Sequence, residues 1–184
     1  MEIPDETLVA RYQRDRCVDS LDSLLCRYSE WLPKLLCQIG VDETVCRDLT
    51  QDVLVRAFRS ITQFEGRSSF RTWVTRVAIN RAKDHFREIR RSKEKTNVEL
   101  GVAIDPTDAD SERRIHEHSE LEERMERLEK AMDSLSEPLR LALVLTTVHG
   151  MSAADAAQVL GCTRNALYFR IHKAKKILKH QLQG

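Results

Sequence analysis

The chain has 184 residues, 32% of them charged, yet its formal net charge is only +1. That length suits one compact domain or two small ones. No apolar run approaches the ~20 residues needed to span a bilayer, and the start MEIPDETLVARYQ lacks a signal-peptide profile, so a cytoplasmic protein with no membrane attachment is expected. Five cysteines (Cys17, Cys26, Cys37, Cys46 and Cys162), an odd number with no Cys-x-x-Cys, argue for reduced thiols rather than a disulfide framework or a zinc site. His116 and His118 are a weak metal signal, because side chains two apart on a helix do not share a face. No metal and no cofactor is expected.

Helical periodicity dominates from the N-terminus, with apolar residues three and four apart in LVARY, SLDSLLCRYSEWLPKLL, LTQDVLVRAFRSI and FRTWVTRVAINRAKDHF. Gly40 and Asp42 mark a stop and a start between the second and third helices. The third, TVCRDLTQDVLVRAFRSIT over 44–62, reads as one amphipathic helix. At ~100° per residue, Leu49, Val53, Leu54, Ala57 and Ile61 form its buried stripe, with Thr50 in the middle. Asp48, Gln51, Asp52 and Val55 form the opposite face, which Thr44 and Thr62 extend at its two ends. A loop, Glu65–Ser69, precedes the fourth helix. From Ser92, SKEKTNVELGVAIDPTDADS loses periodicity and gains Pro and Asp, as a linker does. Helicity resumes in RRIHEHSELEERMERLEKAMDSL, whose apolar stripe (Leu121, Met125, Leu128, Met132, Leu135) suits packing on a neighbour.

The C-terminal unit is punctuated clearly. Ser136 is placed to cap a helix with Pro138 in its first turn. Ser152 and Asp155 stand at capping-box spacing, and Gly161 closes that helix. A longer basic helix follows, so the pair reads as a helix-turn-helix. Thr163, Arg164 and Asn165 at its start suit base edges, and Arg170, Lys173, Lys175 and Lys176 suit phosphates. The expected fold class is all-α: two helical domains, 1–91 and 120–184, joined by a flexible acidic linker over 92–119, with the second domain a helix-turn-helix.

The near-neutral total hides segregation. Residues 65–95 carry ten Lys/Arg against four Asp/Glu, 96–137 five against thirteen, and 138–184 seven against one. Two basic blocks around an acidic connector suggest two surfaces that meet a polyanion. In the first block, SSFRTWVTRVAINRAKDHFREIRRSK, basic residues interleave with Phe70, Trp73, His85 and Phe86. Cations that track a backbone beside faces that accept unstacked bases suit single-stranded nucleic acid. Helical spacing nevertheless makes Phe70, Trp73, Val77 and Phe86 core residues by default, whereas the Asn80 amide suits a base edge. A strand-tracking unit with a duplex-reading one implies promoter opening.

FEGRSSFRTWVTRVAINRAKDHFRE resembles the second region of extracytoplasmic-function (ECF, group IV) sigma factors of the sigma-70 family. LSEPLRLALVLTTVHGMSAADAAQVLGCTRNALYFRIHKAKKIL resembles their fourth region. The resemblance implies a dissociable, non-enzymatic subunit of bacterial RNA polymerase that directs promoter recognition and transcription initiation, with core polymerase (β′ and β subunits) and promoter DNA as partners. It places Arg76, Asn80, Lys83 and Arg87 near the −10 element, with the loop residues Arg67 and Ser68 helping to hold a flipped base. It assigns Thr163, Arg164, Asn165, Tyr168, Arg170 and Lys173 to the −35 element. About 20 extended linker residues at ~3.3 Å each reach roughly 65 Å, similar to ~17 base pairs at ~3.4 Å.

In this family the helix ahead of the basic block docks on the polymerase β′ subunit through a run resembling Asp-Ala-Glu-Asp, then Leu-Val-Gln-Glu. Here the corresponding residues are Val45-Cys46-Arg47-Asp48 and Leu49-Thr50-Gln51-Asp52: one acid of three remains in the first half, and Arg47 reverses a sign. The docking surface, Asp48, Gln51, Asp52 and Val55, is thus expected to be weak, since misplaced like charge opposes association. A minority branch that lacks these acids depends on a Ser/Thr protein kinase that phosphorylates a threonine in this helix. If the chain resembles that branch, position on the docking face and Arg59 three residues ahead rank Thr62 first, then Thr44, then the inward-facing Thr50; a phosphate supplies about −1.5 to −2 charge. An anti-sigma partner stays open. So does the alternative of a stand-alone helix-turn-helix regulator, which would bind duplex tightly without polymerase; no metal-ligand carboxylate cluster or phosphate-cradling glycine loop favours an enzyme.

Overall fold

A computed structural model of the chain describes residues 3–100 and 120–183, and every described element is helical. Four α-helices form the N-terminal unit: α1 (Asp5–Asp15), α2 (Val18–Gln38), α3 (Glu43–Arg59) and α4 (Phe70–Leu100). The C-terminal unit holds α5 (Glu120–Asp133), α6 (Glu137–Leu143), a π-type turn (Val144–Val148), α7 (Ala153–Leu160) and α8 (Arg164–Gln183).

Local chemistry sets the boundaries. Asp42 caps α3, its carboxylate accepting from the Thr44 N–H at 2.8 Å. Gly40 just ahead sits at φ +94°, a conformation that side chains disfavour. α3 stops at Arg59, and Ile61–Gln63 forms a separate 3₁₀ turn. The expected single helix over 44–62 is therefore broken at Ser60. At that position the Ser60 hydroxyl donates to the Arg56 carbonyl at 2.7 Å, and the Ser60 N–H is shared between the Arg56 and Ala57 carbonyls, as the ladder tightens into the 3₁₀ turn. α4 starts where Ser69 Oγ accepts from the Thr72 N–H at 3.1 Å, and it runs to Leu100, past residue 92, where the loss of periodicity predicts a linker. Residues 101–119, the rest of that linker, lie outside the described residues.

In the C-terminal unit Ser152 behaves as expected. Its Oγ accepts from the Asp155 N–H at 3.1 Å and donates to the Asp155 carboxylate at 2.6 Å. Gly161 closes α7 at φ +65°. Ser136 occupies the cap position of α6, but its side chain makes no capping hydrogen bond; Pro138, which lacks an N–H, removes one orphan donor from that turn.

Phe70 is fully buried and centres an aromatic cluster, stacked on Trp73 with centroids 5.5 Å apart and edge-on to Tyr28 and Phe64. Around it pack Leu24, Leu32, Leu36, Leu49, Val53 and Ile79, all almost wholly buried. The default expectation of core packing is met by Phe70, while Trp73, Val77 and Phe86 are half-buried against the same core. That core does not end with the N-terminal unit. Leu141, Leu145, Ala156, Val159 and Leu167 belong to the same continuous apolar cluster, with α7 lying against α4. A smaller cluster of Leu135, Leu139, Leu143 and Ala174 joins α5, α6 and α8. On α5, Met125 and Leu128 of the expected stripe remain exposed.

Candidate nucleic-acid and protein interfaces

α3 turns Leu49, Val53 and Ala57 inward and leaves Asp48, Gln51, Asp52 and Val55 exposed together. Their charge is less than the sequence suggests. Asp52 Oδ2 accepts from Arg81 Nε at 2.9 Å, and Arg47 is exposed beside Asp48. One carboxylate is thus paired and another neighboured by an opposite charge.

The three candidate threonines differ. Thr50 is only 6% exposed and donates to the Cys46 carbonyl at 2.7 Å, so a kinase has no access to it in the folded chain. The Thr44 hydroxyl is exposed but bonded to the Asp42 carboxylate. The two Thr44 donors hold that carboxyl below its ordinary range. Thr62 is exposed, and its hydroxyl makes no hydrogen bond among the described residues. It lies not on α3 but on the 3₁₀ turn, sharing the wall of an open pocket with Tyr12, Arg16, Val55, Phe58 and Arg59. The 100° extrapolation that set Thr62 on the helical face fails there, yet Val55 in the same pocket wall keeps it adjacent to that face.

Of the −10 candidates, Arg67, Arg76, Asn80 and Arg87 are exposed, and Ser68 and Lys83 are half-buried. Arg67 pairs with Glu65 and Arg87 with Asp84. Arg76 Nη2 and Lys83 Nζ each lie 3.5 Å from carbonyls at the end of α7, those of Gln158 and Leu160. Cations at a helix C-terminus face the negative end of its dipole. Partial burial lowers the Lys83 ammonium from its ordinary value. The α4 face proposed for DNA is thus partly covered by the second unit. Further contacts hold the units together: Arg90 with Glu137 at 3.1 Å, and His149, which sits 2.8 Å from the Gln38 side chain and edge-on to Trp31. Nothing in the sequence signalled these contacts, because each joins residues at least 47 positions apart.

The −35 candidates gather at the start of α8. Thr163 caps it, accepting from the Ala166 N–H at 3.2 Å. Arg164, Asn165, Tyr168 and Lys173 are exposed and Arg170 is half-buried. Phe169, which is not among the −35 residues expected from the sequence, is 68% exposed beside Tyr168. Two adjacent exposed rings on a basic helix are a signal that the charge pattern alone did not supply. Among the described residues no cluster of His, Cys, Asp or Glu could hold a metal, and no helix is long and apolar enough to cross a membrane.

Residues 24–92 match the family model of sigma-70 region 2, and residues 125–178 that of sigma-70 region 4. The chain is 30% identical to the RNA polymerase sigma-H factor of Pseudomonas aeruginosa, over 97% of this chain and 94% of that protein. It is 27% identical to the ECF RNA polymerase sigma-E factor of Escherichia coli, over 99% and 96%. Its fold is similar to that of CnrH in complex with the cytosolic domain of CnrY (TM-score 0.69, 24% identity, 97% of each chain). It is also similar to that of the sigma factor RpoE in complex with the anti-sigma factor NepR from Bartonella quintana (TM-score 0.66, 21% identity, 88% of this chain and 96% of that one). Both matched regions and the full-length relatives disfavour the stand-alone regulator. The chain belongs to the ECF branch of the sigma-70 family and is a sigma factor for promoter recognition by RNA polymerase.

Proposed function

We propose that this sigma factor docks on the β′ subunit of core polymerase, also contacting β, through Asp48, Gln51, Asp52 and Val55, and that a Ser/Thr kinase strengthens this docking by phosphorylating Thr62. The observation that carries the reading is the state of the three hydroxyls: buried at Thr50, engaged at Thr44, exposed and unengaged at Thr62. With Asp52 paired to Arg81, the face is short of negative charge, and a phosphate supplies about −1.5 to −2 together with strong acceptors. Arg16 and Arg59 in the same pocket wall are placed to orient it through charge-assisted hydrogen bonds.

Once docked, Arg67, Ser68, Arg76, Asn80, Lys83 and Arg87 meet the melted −10 element, and Thr163, Arg164, Asn165, Tyr168, Arg170 and Lys173 read −35 duplex. Because Arg76 and Lys83 lie against the end of α7, engaging DNA requires the two units to part. The linker that follows α4 supplies the reach. The similarity in fold to the sigma factor RpoE seen in complex with the anti-sigma factor NepR supports an anti-sigma partner that favours the closed form. Action with polymerase places the protein in the cytoplasm.

The test is core-polymerase binding and abortive initiation with unmodified protein, Thr62-phosphorylated protein, Thr62→Ala and Thr62→Glu. Phosphorylation is expected to raise affinity about tenfold, worth ~1.4 kcal/mol, with Thr62→Glu intermediate. Equal binding by all four forms refutes the control step, and no initiation from any promoter by any of them refutes the docking mode.

A further inference from the structure

The fold joins two of the five cysteines. Cys37 lies in the last turn of α2 and Cys46 in the first turns of α3, and the α2–α3 turn brings their sulfurs to 2.8 Å. Cys37 is exposed, whereas Cys46 is buried at 3% exposure. An oxidant in solvent therefore reaches one sulfur, and the second waits directly behind it. Burial and the neighbouring thiol push the Cys46 thiol up to about 12, so Cys46 stays protonated and leaves the first reaction with peroxide to Cys37. Cys46 falls within the run that corresponds to the docking motif but is buried, and neither sulfur lies on the exposed docking face or among the DNA residues discussed above.

We propose that Cys37 and Cys46 form a reversible disulfide on exposure to a peroxide, a modification site that ties the first turns of the docking helix to the end of α2. The Cys37 sulfur attacks hydrogen peroxide, breaking the O–O bond; Cys37 becomes a sulfenic acid and one water leaves. The Cys46 sulfur then attacks the sulfenic sulfur, the S–O bond breaks, and the Cys46 proton leaves with the hydroxyl as a second water. Two thiols lose two electrons in total, and the peroxide gains them. Closure requires an approach of about 0.8 Å, from the present separation to the ~2.05 Å of a disulfide. A dithiol reductant reverses it by exchange. Because the bond closes across the Gly40–Asp42 turn, it restrains how α3 enters, and it removes entropy chiefly from the unfolded chain.

The chain offers a direct assay. Trypsin cleavage after Lys34 and Arg47 releases LLCQIGVDETVCR, a single peptide that carries both cysteines. Folded full-length protein is treated with hydrogen peroxide, alkylated under denaturing conditions, and digested. The expected peptide is lighter by two hydrogens, takes up no alkyl group, and recovers two after dithiothreitol. Cys26, exposed and with no thiol contact among the described residues, is expected to give no internal disulfide. The oxidised protein is expected to melt several degrees higher and to exchange amide hydrogens more slowly over 41–48. In Cys37→Ser, whose altered side chain is exposed and leaves the core intact, Cys46 is expected to stay alkylatable and the melting shift to vanish. A Cys37 that proceeds to sulfinic acid, or that links preferentially to a second molecule while Cys46 stays free, overturns the proposal. So does a melting shift that persists in Cys37→Ser.

Discussion

Glu137→Arg tests whether the two units are held closed by the contacts seen here. Glu137 Oε2 accepts from Arg90 Nη2 at 3.1 Å, with the glutamate side chain 25% exposed and the arginine 63% exposed. A pair this solvated contributes only about 0.5–1 kcal/mol; replacing attraction with repulsion should shift the closed–open balance by about 1 kcal/mol, or roughly fivefold. Glu137 also sits in the first turn of α6, where an arginine opposes the helix dipole at a further cost of about 0.3–1 kcal/mol. Arg90→Glu loses the pair without that second penalty. The double exchange Arg90→Glu/Glu137→Arg should restore the pair and leave only the dipole penalty. Energy transfer between dyes on α1 and α8, backed by small-angle scattering, reads the distance between units. The singles are expected to open at low salt and to approach wild type near 1 M salt, where screening shortens the Debye length to ~3 Å. Singles that match wild type at low salt, or a double exchange no more closed than either single, would refute the reasoning.

Acid should loosen the same seam through His149, since burial first and Arg71 second lower its pKa from the ordinary 6.5. A histidine held below its free value binds fewer protons when packed, so its contribution is fully present above about 6.5 and lost as pH falls through the lowered value; His149→Gln should flatten that response in the same energy-transfer assay. Phe70→Ala removes the centre of the aromatic cluster and should destabilise the fold by about 3–5 kcal/mol, read by urea unfolding. For promoter selection, Arg164→Ala and Asn165→Ala should relax discrimination at single −35 positions by about 1–3 kcal/mol. Lys173→Ala, in contrast, should weaken binding to all promoters and reduce the salt slope by about one, in footprinting with holoenzyme across a salt series.

Much of this protein was already written in local patterns. Helical period, the Asp42 and Ser152 caps, Gly40 and Gly161 as stops, and the helix-turn-helix with its polar start all follow from interactions within a few residues, which a sequence displays directly. The burial of Thr50 followed from periodicity too. The same reasoning failed where geometry changed: Ser60 ends α3, so Thr62 had to be located by the turn rather than by counting 100° steps. Ser136 holds a capping position without making the bond. What only the tertiary structure decided depends on long-range proximity. Asp52 is paired by Arg81, the Arg76 and Lys83 cations rest on the end of α7, and His149 meets Trp31 and Gln38. The cysteines read as five dispersed thiols, until the α2–α3 turn set Cys37 beside Cys46. Residue type and period fix which face of a helix is apolar, but which charges and sulfurs meet is settled by how those faces pack.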